Sequence, residues 1–343
     1  MRSEPLGSIH SGLLGDATLA DRLGAALRDA LGERVRGEHD ALRVRARTPG
    51  DVSSLFRIAA QHGARVAAPG GELTPGVGVV SLDLDALAQI RSLDAESRIV
   101  HVEGGALLGG VEAHLRAAGL TLGVATLDAA TLDAATGARH AARAEARAIS
   151  AAAEARVDVA SWLARGAVGA RAHADDPVDQ LVCGLEVVLA DGTLLTIRPA
   201  PRRAVGPDLL PSFVGGRACL GVIVGAHLVA RSVVPHTDVV YRFAARADAE
   251  SARAWIRGRG VRPVSTALNT DDGDVTYLQV RVEGRRAIRD ASLATVARVA
   301  LERGGRICEP PVASRDHASV IAPPSDVVRA LARALDPAGI LRA

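Results

Sequence analysis

Residues 47–76 read RTPGDVSSLFRIAAQHGARVAAPGGELTPG. A Thr-Pro-Gly break opens the stretch, a helix is expected to start at Asp51 and stop at Gly63, and RVAAPGG then runs as a strand into a glycine turn. Glycines let the main chain approach an anion closely, and clustered N–H groups beside them form a concave donor nest. The neighbouring segments continue the rhythm. VGVVSLDL (77–84) is a second strand, Gln89 to Asp94 reads as a turn, RIVHVEGG (98–105) is a third strand, and GALLGGVEAHLRAAGLTLG (105–123) is a helix ending at Gly119. Short strands alternating with single helices indicate an α+β or α/β unit.

Upstream, residues 16–34 alternate apolar and charged positions at helical spacing and form an amphipathic leading helix. Downstream, residues 126–156 contain a pentapeptide echo, TLDAATLDAAT, then an Ala-, Arg- and Glu-rich run with no wide apolar face. This is read as an exposed helix or a mobile insertion. Regular structure resumes with LEVVLA, an Asp191-Gly192 turn and TLLTI, a hairpin. GPDLLPSFVGGRACLGVIVGAHLVARSVVP (206–235) gives a short helix, a glycine turn and a strand, and Pro235 marks a boundary. Strand–helix–strand–helix follows, and PPSDVVRALARALDPAGIL is a Pro-capped terminal helix with a turn. The expected division is a helical lead-in at 1–40, a main domain at 41–235, a small cap at 236–321 and a returning helix at 322–343.

A chain of 343 residues exceeds the size at which one hydrophobic core stops growing, so at least two packed units are expected. Net charge is +2, which supplies no field for nucleic acid or an anionic membrane. All 41 basic side chains are Arg. Aromatics are 2%, too few for a base-stacking platform. Cys183, Cys219 and Cys308 lie too far apart for a Cys-x-x-Cys knuckle, and each reads as a buried thiol. Neither a signal peptide nor a membrane-length apolar run is found, so a cytoplasmic protein is expected. Gly76, Gly78 and Ser81 nearly fit the dinucleotide fingerprint, but these glycines precede a strand instead of leaving one. Walker A, His-Glu-x-x-His and Gly-x-Ser-x-Gly signatures are absent, which removes the P-loop ATPase, zincin and serine-hydrolase classes.

The order of these turns resembles the PCMH-type flavin-binding domain of the vanillyl-alcohol-oxidase superfamily, from Arg43 to Pro235 and again in ALDPAGIL. The resemblance implies a two-lobed α+β FAD-binding domain with a small α/β cap. It implies an FAD-dependent oxidoreductase whose first phosphate loop is Pro69, Gly70, Gly71, Glu72, Leu73 and Thr74. The second loop would involve Val159, Ala160, Ser161, Gly166 and Gly169, and the third Gly221, Val222 and Ile223. With no histidine in the first loop, the flavin would be held non-covalently. Length, the slim second domain and VTYLQVRVEG most resemble the smaller flavin-domain subunit of bacterial glycolate oxidase. This implies a small 2-hydroxy-acid substrate, with a larger flavin subunit and an iron–sulfur subunit as partners. The histidine-rich substrate motif of the larger relatives is not found in this sequence.

Departures from the pattern support a second reading, a scaffold or interaction subunit without flavin. Glu72 puts a carboxylate where phosphates would lie, which repels them unless it points outward. Ala160 and Ser161 stand where adjacent glycines are usual, and Arg217-Ala218-Cys219 replaces a serine–glycine pair. His173 with Asp175 and Asp176 is the candidate acid–base group, set against a solvated loop with an Asp helix cap. His101 and His114 read as structural, and Arg281 and Glu283 as members of a cross-strand ion pair. Arg253, Arg257, Arg259 and Arg262 form either a solvated face or a site for an anion.

Overall fold

The computed structural model describes residues 11–37, 41–76, 78–124, 155–167, 181–200, 208–261, 263, 265–270, 275–308 and 324–341. Helix α1 (Ser11–Leu31) lays Leu23, Leu27 and Leu31 into the core at four-residue spacing. The leading helix expected at 16–34 is corrected in its bounds: it runs Ser11–Leu31 and a 3-10 turn (Gly32–Arg34) follows. Strands β1 (Val35–Arg36), β2 (Arg43–Arg45), β3 (Arg65–Ala67) and β4 (Val79–Asp83) form a sheet in the order β1-β2-β4-β3. Both β2 and β3 run parallel to β4.

Helix α2 (Pro49–Gln61) connects β2 to β3 and begins two residues before the expected Asp51. The cause is a capping box. Thr48 Oγ1 accepts from Asp51 N at 3.2 Å, and Asp51 Oδ2 accepts from Thr48 N at 3.1 Å. Pro49 therefore occupies the first helical position, where its missing N–H costs nothing.

The second sheet is antiparallel, β5-β6-β10-β8-β9, from β5 (Ile90–Asp94), β6 (Ile99–Glu103), β8 (Val182–Leu189), β9 (Leu194–Ile197) and β10 (Gly221–Val229). The expected turn at Gln89–Asp94 is instead strand β5. It is an edge strand with no buried residue, so its sequence lacks the alternation that marks a half-buried strand. The turn lies just beyond it, where Asp94 Oδ1 accepts from Glu96 N and Ser97 N at 3.0 and 2.9 Å. Helix α3 (Leu108–Ala117) and the short pair β7 (Leu120–Thr121) and β11 (Arg231–Ser232) complete this lobe, with the short helices α4 (Val159–Ala164) and α5 (Leu210–Phe213). The hairpin forms at Asp191-Gly192, with Gly192 at φ 80°. The insertion expected at 126–156 lies outside the described residues except for its last two positions.

A third sheet, β13-β14-β12-β15, is built from β12 (His236–Phe243), β13 (Ser265–Thr270), β14 (Thr276–Glu283) and β15 (Arg306–Cys308). Helices α6 (Arg246–Gly258) and α7 (Arg286–Glu302) cover one face. The sequence reading had only two strands here; β13 and β15 are the two edges of the sheet, and β15 is three residues long. Arg281 is 5% exposed and makes a two-pronged ion pair with Asp238, its cross-strand partner, at 2.7 Å for both contacts. On the helical side, Arg259 and Arg303 flank the Trp255 ring at 5.1 and 4.4 Å, while Arg257 donates to Thr266 Oγ1. Arg262 lies outside the described residues.

Two hydrophobic cores result. One gathers side chains from Leu23 to Ala230 and again from Val328 to Leu341; the other gathers Tyr241 to Ala300. Helix α8 (Asp326–Leu335) is capped by Ser325, whose Oγ accepts from Val328 N at 3.3 Å, and not by the preceding prolines. Cys183 is buried, but Cys219 and Cys308 are only partly so, a correction to the expectation for those two. Among the described residues no helix is long and apolar enough to cross a membrane.

The return of the C-terminal segment hangs on Asp336, 1% exposed, whose carboxylate accepts from Ile340 N and Leu341 N at 2.8 and 3.0 Å. Ile340 O in turn accepts from Val66 N at the start of the first sheet. Asp336→Ala leaves two buried amides without acceptors and is expected to cost about 2–4 kcal/mol, read as a lower urea midpoint. A second expectation concerns pH. His101 and His227 are cross-strand partners stacked at 4.0 Å beside Glu186, and burial holds both rings below the usual imidazole range. The unfolded chain therefore binds more protons near pH 6, so stability is lost as pH falls below about 6.5. His101→Gln with His227→Gln should flatten the change in urea midpoint between pH 7.5 and 5.5.

Candidate functional site

The first sheet delivers its chain to the site at the end of β3. Gly71 N donates to Ala68 O at 3.0 Å and closes a turn. Among the described residues the amides of Gly70, Glu72, Leu73 and Thr74 have no hydrogen-bond acceptor, which leaves four donors clustered on one loop. Gly70 sits at φ 74°, and a β-carbon there would lie 2.6 Å from Ala164 Cβ and 3.0 Å from Ser161 Cα. Only glycine permits both that backbone and that contact.

Opposite the loop stands α4. The expected second loop is corrected: Val159, Ala160 and Ser161 are the opening turn of a helix. Asp158 caps it, with Oδ1 accepting from Ser161 N and Oδ2 from Ser161 Oγ, both at 2.7 Å. Val159 N and Ala160 N donate to Ala106 O and Gly104 O at 2.9 and 2.8 Å. The first three amides of α4 are thus consumed by the protein. Gly105 fixes the floor, since a β-carbon on it would lie 1.8 Å from Leu84 O.

The third turn docks onto the far end of α4. Gly215 N donates to Leu163 O and Arg217 N to Ala164 O at 2.9 and 2.8 Å, taking up carbonyls of the last turn of α4; Leu163 O also accepts from Gly166 N at 2.9 Å. Arg217 and Ala218 are left-handed at φ 49° and 57°. Arg217 forms an ion pair with Glu72 of the first loop. Beside them the Cys219 thiol is pushed up by burial, with the Glu72 charge adding to the effect.

Between the loop, β4 and α4 lies a cleft of about 470 Å³. Of the sequence-predicted residues, Pro69, Gly70, Gly71, Leu73 and Ser161 line it. Glu72 and Thr74 sit on the same loop outside the lining; Val159, Ala160, Val222 and Ile223 are buried behind it, as is Gly221 at the start of β10. Gly166, at φ 88°, ends α4 away from the cleft. Gly169, His173, Asp175 and Asp176 lie outside the described residues. Arg43, Arg165, Asp83, Asp85 and Asp158 also line the cleft, and Arg217 flanks it; sequence reasoning selected none of these as site residues. Asp158 was legible as an acid three residues ahead of a serine at a helix start. Among the described residues no cluster of His, Cys, Asp or Glu is placed to hold a metal ion.

Open amides and a glycine cradle that a β-carbon would fill suit a pyrophosphate, so the first loop fits an FAD. At α4 the amides are spent, and only the Ser161 side chain faces the cleft. Gly70→Ala is expected to lower stability by about 1–3 kcal/mol through backbone strain and the clash with α4. It should also weaken FAD binding at least tenfold, measured by calorimetry on the folded variant.

Comparison with known proteins supports the assignment of the loop. Residues 41–148 match a family described as FAD binding domain. The uncharacterized FAD-linked oxidoreductase YgcU of Escherichia coli K12, and the same protein of strain O157:H7, are 27% identical over 177 residues. That match covers 52% of this chain and 31% of each relative, so the chain corresponds to about a third of their length. Among solved structures, p-cresol methylhydroxylase with substrate bound superposes with a TM-score of 0.62 at 14% identity, over 93% of this chain and 72% of that one. The 4-ethylphenol oxidase of Gulosibacter chungangensis in complex with isoeugenol gives 0.62 at 15%, over 92% and 69%. An alkyldihydroxyacetonephosphate synthase gives 0.59 at 15%, over 82% and 54%. The chain has a mixed α+β fold in which residues 41–148 match a PCMH-type FAD-binding domain.

Proposed function

We propose that this chain is an FAD-binding subunit of an oxidoreductase acting on a small 2-hydroxy acid such as glycolate or lactate. It would hold the flavin non-covalently and work beside a larger flavin subunit and an iron–sulfur subunit. The observation that carries the flavin reading is the Gly70–Thr74 loop with its unused amides. A bound flavin supplies the hydride-accepting chemistry, and the protein supplies position and electrostatics. Here the loop amides would receive the pyrophosphate, Gly70 would let it come close, and the Asp158–Ser161 pair would hold the facing helix still.

Support for an accessory role comes from the cap. Its described part is one four-stranded sheet with two helices, and its most buried charge, Arg281, is already held by Asp238. General-base catalysis contributes about 10²–10⁴ in rate, and a subunit that leaves proton transfer to a partner can do without it. A second reading, a scaffold without flavin, is favoured by one observation: the first amides of α4 are bonded internally.

The test is a spectrum followed by a reaction. The purified protein should be yellow, or turn yellow with added FAD, and acid precipitation should leave the flavin in the supernatant. A protein that takes up no FAD would move the assignment to the scaffold. The FAD-loaded chain, mixed anaerobically with glycolate or D-lactate, should show no bleaching in the absence of partners. Rapid bleaching by either acid would overturn the accessory role and make His173 the first residue to mutate.

A further inference from the structure

Glu72 is an odd residue for an anion-binding loop. Four open amides surround it, and its own charge opposes what they would bind. Its partner resolves the conflict. Glu72 is half exposed, its side chain at 47%, whereas the Arg217 side chain it pairs with is at 23%. The arginine is the better anchored of the two. Its amide donates to Ala164 O at the end of α4, its backbone is left-handed, and its carbonyl oxygen would lie 3.7 Å from a β-carbon on Gly71. The third turn is therefore in contact with the first loop, and a guanidinium reaches across to it from a fixed base.

We propose that Arg217 is a phosphate-binding side chain of this site, and that Glu72 occupies its guanidinium until a dinucleotide pyrophosphate displaces the carboxylate. This rests on the reading that the loop holds FAD. A planar guanidinium suits phosphate oxygens as well as it suits a carboxylate. An exposed ion pair contributes little stability, so exchanging it for a pyrophosphate that also takes the loop amides is favourable. Glu72 then acts as a selectivity device. It neutralises Arg217 in the ligand-free loop, so that a lone phosphate finds that guanidinium already engaged, and it yields to a ligand that fills the amides as well. The Arg217-Ala218 turn, strained for residues with a β-carbon, is retained because it aims this side chain at the loop.

The test uses the full chain stripped of flavin, titrated calorimetrically with FAD, ADP and riboflavin. Glu72→Gln should bind FAD and ADP about tenfold more tightly, and Arg217→Gln about tenfold more weakly, with riboflavin unchanged in both. Riboflavin lacks the pyrophosphate, so a general loss of structure would move it too. Arg217→Lys, which keeps the charge without the two-pronged geometry, should fall between wild type and Arg217→Gln, and it carries the test if the glutamine variant fails to fold. If wild type binds FAD but either variant leaves FAD and ADP unmoved, or shifts riboflavin equally, the proposal falls and the flavin reading stands. If neither wild type nor Glu72→Gln binds any of the three ligands, both fall together.

Discussion

At the centre of the site a backbone meets a helix with no room between them. Gly70, left-handed and without a side chain, lies against Ser161 and Ala164 of α4, closer than any β-carbon could. That contact sets the distance between the first sheet, which carries the loop, and the second, which carries α4 through Ala106 and Gly104. It also fixes the end of α4 onto which the Gly215–Arg217 turn docks. Three segments separated by some 150 residues thus converge on one short helix, whose polar ends are satisfied by the other two. Because α4 is consumed in holding the parts together, the backbone donors left for a ligand between α4 and the loop are, among the described residues, those of the loop.

The electrostatics follow from this division of labour. Asp158 is needed as a cap, Asp85 is paired with Arg45 at 2.5 Å, and Glu72 is paired with Arg217. Each carboxylate near the cleft is therefore engaged by a donor, Asp83 Oδ1 by the amide of Asp85 at 2.9 Å, and Arg43 and Arg165 line the cleft with no ion pair among the described residues. An anion entering here meets the Arg43 and Arg165 guanidinium groups and four amides. That balance suits a phosphate-bearing ligand despite the nearly neutral net charge of the chain, since local fields and not the total decide what a cleft accepts.

Much of this was legible in the sequence, for identifiable reasons. The glycine turn after β3, the Asp191-Gly192 hairpin and the helix at 49–61 announce themselves because Gly, Pro and Asp in those places have few other uses. Strand β5 was missed because a register shift between Ile90 and Ser92 sets the two core-facing residues, Ile90 and Leu93, three apart and breaks the alternation. The start of α2 was placed at Asp51, two residues late, because the Pro49-Gly50 pair reads as a break; the reciprocal bonds of Asp51 with Thr48 make it the third helical residue. Ala160 and Ser161 were read as an obstruction in a loop, whereas the Asp158 cap makes them helical. The partnership of Glu72 with Arg217 spans 145 residues, and nothing local in either segment points to the other.

The C-terminal segment shows why such distant pairings matter to the site. Val328, Ala332, Ile340 and Leu341 pack into the same core as Leu23 and Val66, and Ile340 O caps the amide of Val66 on β3. Strand β3 is only three residues long and ends one residue before the turn that presents Gly70 and Gly71. A strand this short cannot hold a loop through its own ladder, so the returning segment, locked by Asp336, acts as a brace on its solvent edge. The cap meanwhile closes its own core around Tyr241, Phe243 and Leu278, separate from the first. The Gly70–Thr74 loop is thus held by the ends of the main body, and the core around Tyr241, Phe243 and Leu278 closes without taking part in that support.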